Sequence, residues 1–131
     1  MTAETLAEIH LANVGRSEED QDLSIYSSDV ITRFPFAPEG HTSVLDSLNG
    51  LSRFMAAIPG FVRDREVKDV SVTPLPDGAM LRYTESSVFN ATGRAYSSPI
   101  VWLIRTEGGV ITHLEEMYDS LAVVRALGDI D

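Results

Sequence analysis

The residues best able to do chemistry lie in the stretch ITHLEEMYD, positions 111–119. A strand alternates its side chains between two faces. Leu114, Glu116 and Tyr118 would share one face, and His113, Glu115 and Met117 the other. A carboxylate turned into an apolar interior is desolvated, which raises its pKa and suits it to proton transfer near neutral pH. A register slipped by one residue would turn Glu115 inward instead, or leave Glu116 to a surface arginine. His10 is the second candidate. It stands four residues from both Leu6 and Val14, on the apolar face of a helix. An imidazole there could orient a substrate, polarise a carbonyl or pair with Glu116. The same place also suits a hydrogen-bonded core histidine. Tyr26, Tyr83, Tyr96 and Tyr118 carry phenols that either pack or reach a pocket; Tyr118 stands nearest the acid, and Tyr26 shapes the wall.

Other chemistries find no residues. There is no cysteine, hence no thiol nucleophile and no disulfide. His41 and His113 lack metal-ligand spacing to each other or to an acid cluster. Neither a phosphate-binding glycine loop nor a Gly-x-Ser-x-Gly elbow is present. No cofactor is implied. A net charge of −10 disfavours nucleic acid and anionic membrane surfaces. No apolar run approaches the roughly 20 residues of a membrane span. The opening MTAETLAEIH lacks the basic and apolar blocks of a secretory signal. A soluble cytoplasmic protein is expected, and 131 residues predict one domain.

The elements that must position these groups read as follows. Residues 2–14 form a helix ended by Gly15. Ser17 caps a second, short helix that runs to about Tyr26, with Glu18, Glu19 and Asp20 in its first turn. Residues 29–34 form a strand broken at Pro35. A third helix spans about residues 44–58, with Leu48, Leu51, Phe54, Met55 and Ile58 on one face, and Pro59-Gly60 stops it. Four strands follow. Residues 62–73 carry a bend where Val67 and Val70 break the alternation. Residues 79–89 come next, holding Arg82 and Glu85 at opposite parity, so only one faces inward. Residues 94–106 and 110–118 make a hairpin closed by Glu107-Gly108-Gly109. Residues 120–127 form a short closing helix or coil, with Asp119, or Ser120, as the cap. Helices followed by a run of antiparallel strands define an α+β fold.

This order resembles the nuclear transport factor 2-like, or cystatin-like, superfamily over essentially the whole chain. The closing half, GRAY…GGVITHLEEMYD, resembles the SnoaL-like polyketide cyclase and phenazine-biosynthesis branch. The resemblance implies N-terminal helices packed on a curved sheet, in a cone whose mouth is a pocket for a small hydrophobic or polyketide-like molecule. Laid on the ketosteroid isomerase branch at Pro35, Phe34 falls where that branch has its base and His10 where it has an oxyanion-hole tyrosine. Matched at Gly109, Val101 falls at its protonated aspartate. Both isomerase carboxylates are thus missing, so that mechanism is not expected.

The same overlay implies that Leu114, Glu116 and Tyr118 face the cavity with Phe34, Val101 and Leu103. It turns Trp102 outward, into an apolar patch with Ile100, Ile104 and Met117 suited to a homodimer. The reading makes Glu116 the acid–base group and His10 its polar catalytic partner in chemistry of the cyclase, isomerase or dehydratase (lyase) type. Phe34, Tyr118, Tyr26, Leu114, Val101 and Phe54 are expected to contact substrate. A non-catalytic ligand-binding or dimerisation module of the same fold is the alternative.

Overall fold

A computed structural model describes residues 1–129. Helix α1 (Ala3–Asn13) begins where the Thr2 hydroxyl accepts the Thr5 amide N–H. It ends at Gly15, whose φ of +93° suits a residue without a Cβ. The expected second helix is instead two short 3-10 turns, Glu18–Asp20 and Leu23–Ile25. Side chains compete with helix hydrogen bonds here. The Asp22 carboxylate takes the Ser24 amide, and Gln21 donates to the carbonyls of Arg16 and Ser52. Tyr26 therefore opens strand β1 (Tyr26–Arg33) rather than closing a helix.

Val44–Leu45 is not the start of a helix but a short strand, β2, paired with Thr32 and Arg33. Helix α2 (Leu48–Phe61) starts after Ser47, whose Oγ accepts the Gly50 N–H. Pro59 lies inside α2 and does not stop it. Proline lacks the N–H that would reach the Met55 carbonyl four residues back. The Gly15 N–H fills that vacancy at 3.0 Å, tying the end of α1 to α2.

Strands β3 (Val62–Leu75), β4 (Gly78–Phe89), β5 (Ala95–Glu107) and β6 (Val110–Met117) form successive antiparallel hairpins, and helix α3 (Ser120–Ala126) closes the chain. Asp119 caps α3 by accepting the Ala122 N–H. The sheet order is β2-β1-β6-β5-β4-β3, antiparallel throughout except that β1 runs parallel to β6. The sheet is open and curved, with the three helices packed on it. Part of the curvature has a local cause in β3. Its register shifts twice against β4, and Asp64 and Asp69 take positive φ at those shifts. The bend expected around Val67 and Val70 is thus a pair of bulges.

The concave face carries the core. Leu81 and Tyr83 of β4, Ile100, Trp102 and Ile104 of β5, and Ile111 and Leu114 of β6 are buried against Leu6 and Ala7 of α1 and Leu51 and Met55 of α2. Trp102, expected outside with Ile100 and Ile104, is wholly buried, and both isoleucines are inside with it. The cause is a bulge between Arg105 and Thr106 opposite β6. Glu107 opposes Val110 at the turn, and an even count from there would set Val101 against Glu116. The extra residue, Thr112, advances the register by one, so Trp102 opposes Glu116 and Val101 opposes Met117. Val101 and Leu103 therefore occupy the convex face.

Gly78 marks the tightest backbone approach. A Cβ there would stand 1.8 Å from the Ile104 carbonyl oxygen. Gly78→Ala should destabilise the fold by about 3 kcal/mol or more, because backbone rather than a side chain must yield. Urea denaturation of the two proteins measures this, and an equal midpoint would contradict the packing of β4 on β5.

Candidate active site

A pocket of about 670 Å³ opens between the concave face of the sheet, the end of α1, α2 and α3. Its walls are mostly aromatic and aliphatic. Phe34 and Phe54 meet at 5.0 Å between ring centroids, and Tyr96 and Tyr118 add two phenols. Val123 of the closing helix and Leu127, just beyond its end, complete the wall. A smaller depression of about 330 Å³ lies beside Arg94, Asp119 and Arg125, but those charged side chains are exposed.

Glu116 lines the pocket from β6, while Glu115 pairs with Leu103 on the other face. The surface that Glu116 keeps accessible is pocket surface. Burial raises its pKa from 4.5 to about 8, the charge of Glu85 adds to the rise, and Arg65 opposes it. Trp102, its partner directly across the ladder, is wholly buried and lies outside the pocket lining. Its Nε1–H donates to the Tyr83 hydroxyl at 3.0 Å, and the His10 ring stands edge-on against it at 4.4 Å.

Glu85 is the member of the Arg82/Glu85 pair that turns inward; Arg82 is exposed. Arg65 of β3 reaches it, with Nε 2.8 Å from Oε1. The two side chains are only 21% and 16% exposed. Sequence reasoning did not single out this pair. Opposite charges twenty positions apart are a weak signal, and the β3 bulge between Arg63 and Glu66 hides which residue of that strand faces Glu85.

His10 is placed differently from expectation. It is wholly buried, its Nδ1 lies 2.7 Å from the Tyr26 hydroxyl, and it is not part of the pocket wall. Asn13 donates to the same hydroxyl at 3.1 Å. Burial lowers the His10 pKa to about 3, so the imidazole is neutral at ordinary pH. It meets Trp102 and Tyr26, not Glu116. Tyr26 and Leu114 are likewise core residues beneath the pocket rather than lining it. Val101 is on the convex face, away from any ligand in the pocket, because of the β6 bulge. Phe34, Phe54 and Tyr118 do line the pocket. Burial and the neighbouring Glu116 raise the pKa of Tyr118. Among the described residues, no group of three His, Asp or Glu is arranged to hold a metal ion.

This architecture, a curved open sheet with a pocket under its helices, is the nuclear transport factor 2-like fold. Solved structures match it along nearly the full chain. A nuclear transport factor 2-like protein from Burkholderia xenovorans LB400 superposes with a TM-score of 0.83 at 15% identity, covering 95% of each chain. A protein of Pseudomonas putida KT2440 named a "putative polyketide cyclase" gives 0.77 at 20% identity, over 96% of this chain and 98% of its own. A phenazine biosynthesis-related protein of Pseudomonas aeruginosa gives 0.73 at 14% identity, over 96% and 89%. At these identities the likeness establishes the fold. No protein-family model matches the sequence, and no curated protein matches it.

The raised pKa of Glu116 has a consequence for stability. The folded chain binds this proton more tightly than the unfolded chain does. The resulting contribution is fully present below about pH 4.5 and is lost as pH rises through about 8. Glu116→Gln retains the shape and cannot ionise. Between pH 5 and pH 9 the parent should lose stability relative to this variant by on the order of a few kcal/mol. Urea denaturation at both pH values reads the difference, and parallel behaviour would mean that the carboxyl is solvated.

Proposed function

We propose that the protein binds a small hydrophobic molecule in this pocket and moves protons on it, with Glu116 as the acid–base group. The observation that carries the reading is a carboxyl set into an aromatic wall, backed by a buried indole and close to neutrality in its titration. Such a group can give a proton to a carbonyl or take one from an activated carbon at neutral pH. Cyclisation, isomerisation and dehydration all need that step. The names of the structural neighbours, which include polyketide cyclases and a phenazine biosynthesis-related protein, support the same classes. His10 belongs to this reading as the support behind Trp102, not as a proton donor.

The reading includes a cytoplasmic homodimer joined through the convex face of the sheet. The Trp102 patch expected there does not exist. Met80 paired with Leu103, and Val101 paired with Met117, form a smaller apolar strip in its place. Leu103 is 37% exposed at its centre. The surface charge of a chain at −10 offers nothing to nucleic acid.

Two measurements bear on this. With a substrate found by screening polyketide and aromatic carbonyl compounds for turnover, Glu116→Gln should lower kcat roughly 10²–10⁴-fold; undiminished turnover removes the mechanism. Leu103→Lys should shift the protein from dimer to monomer in sedimentation velocity with the fold intact, and an unchanged dimer would place the interface elsewhere.

A further inference from the structure

The ionisable groups on the pocket wall are His41, Glu85, Tyr96, Glu116 and Tyr118. Two of these are carboxyls, and they differ in environment. Glu85 is ion-paired with Arg65 through Oε1, which leaves Oε2 available. Glu116 makes no ion pair among the described residues and is paired across the ladder with Trp102. The guanidinium holds Glu85 through Nε and directs Nη1 at the Val14 carbonyl, while its buried Nη2 has no partner among the described residues and it does not line the pocket. An anionic ligand would meet the Glu85 carboxylate first, with Arg65 behind it and outside the pocket lining. Two carboxyls in one cavity, one ion-paired with a guanidinium and one set among apolar walls without an ion pair, have the form of a base and an acid acting together.

We propose that Glu85 is the second catalytic residue, the base that works with Glu116 as acid, and that the pocket takes an uncharged, enolisable carbonyl compound. This rests on the reading of Glu116 given above and adds the direction of proton flow and the ligand's charge. Glu85 Oε2 removes a proton from the carbon next to the ligand carbonyl. The C–H electron pair becomes the C=C bond of the enol. The carbonyl π pair takes the Glu116 proton, leaving Glu85 protonated and Glu116 ionised. Return of the proton from Glu85 to carbon, at the same or a conjugated position, and of the hydroxyl proton to Glu116 restores both residues. No metal, redox partner or co-reactant enters the balance. Arg65 positions Glu85 and keeps a negative charge tolerable in a mostly apolar cavity.

The probe is 2-tetralone, a neutral bicyclic ketone with acidic α-protons, and 2-naphthoate is its anionic counterpart. Trp102 is the only tryptophan and faces Glu116, so its fluorescence reports binding. Deuterium uptake at the α-carbons in D₂O, followed by proton NMR, reports enolisation. The ketone should bind at least about tenfold more tightly than the acid, and the protein should accelerate exchange. Glu85→Gln should bind the ketone within about threefold of the parent and exchange it about a hundredfold more slowly or worse. Glu85→Asp, which keeps the charge and the pairing with Arg65, should recover part of the rate, and it substitutes for the amide variant if that one does not fold. Equal or tighter binding of naphthoate, no binding of tetralone, or binding without accelerated exchange would each overturn the proposal. Slow exchange in Glu116→Gln with a parental rate in Glu85→Gln would overturn the base assignment alone and leave the role of Glu116 standing. A parental rate in Glu116→Gln would overturn the underlying reading.

Discussion

The register that sets Trp102 opposite Glu116 across β5 and β6 is what the rest of the site depends on. A carboxyl becomes a useful acid near neutral pH only where water is kept from it. The wholly buried indole does this from one side, and the aromatic wall does it from the other. The indole must itself be immobile to do so. Tyr83 holds its N–H, and His10 fills the space behind the ring. A neutral histidine suits that place, because a second charge in the core would demand solvation or a partner that the interior does not offer.

Charge in the pocket is arranged with equal economy. Two carboxyls line a largely apolar volume, and one guanidinium stands behind Glu85. The pairing of Arg65 with Glu85 neutralises one acid and leaves Glu116 to be set by burial. Had Arg65 met Glu116 instead, the attraction would have held that carboxylate ionised. The choice is made by backbone geometry. The bulges at Asp64 and Asp69 bend β3 and re-aim its side chains, so a strand that would otherwise continue the alternation presents Arg65 toward Glu85.

Solved structures sharing 20% of positions or fewer superpose along nearly the entire chain. That tolerance has a physical reason. The cone needs apolar alternation on one sheet face, amphipathic helices to cover it and a few bulges to curve it, and many sequences meet those demands. Chemistry depends on which few side chains project into the remaining space. In this chain the two carboxyls that line that space are Glu116 and Glu85, neither of which is set by the fold's hydrophobic pattern.

Several features were legible from residues alone. The capped first helix, the antiparallel run of strands, the irregularity near Val67 and Val70 and the α+β class all follow from local periodicity and turn chemistry, which act over a few residues. The inward parity of Glu116 was left open by alternation and came out of the family overlay. What could not be read was anything set by long-range register. The one extra residue at Thr112 moved Trp102 from the expected convex face to the core and carried Val101 out of the pocket. A hydrogen bond from Gly15 let α2 continue through Pro59, although proline ordinarily ends such a helix. Periodicity along the chain thus determined the first helix, the body of α2 and the run of strands, but not the turns at Glu18–Ile25 or the strand at Val44–Leu45. Only the folded sheet decided which side chains meet across strands, because a single bulged residue reverses every partner beyond it.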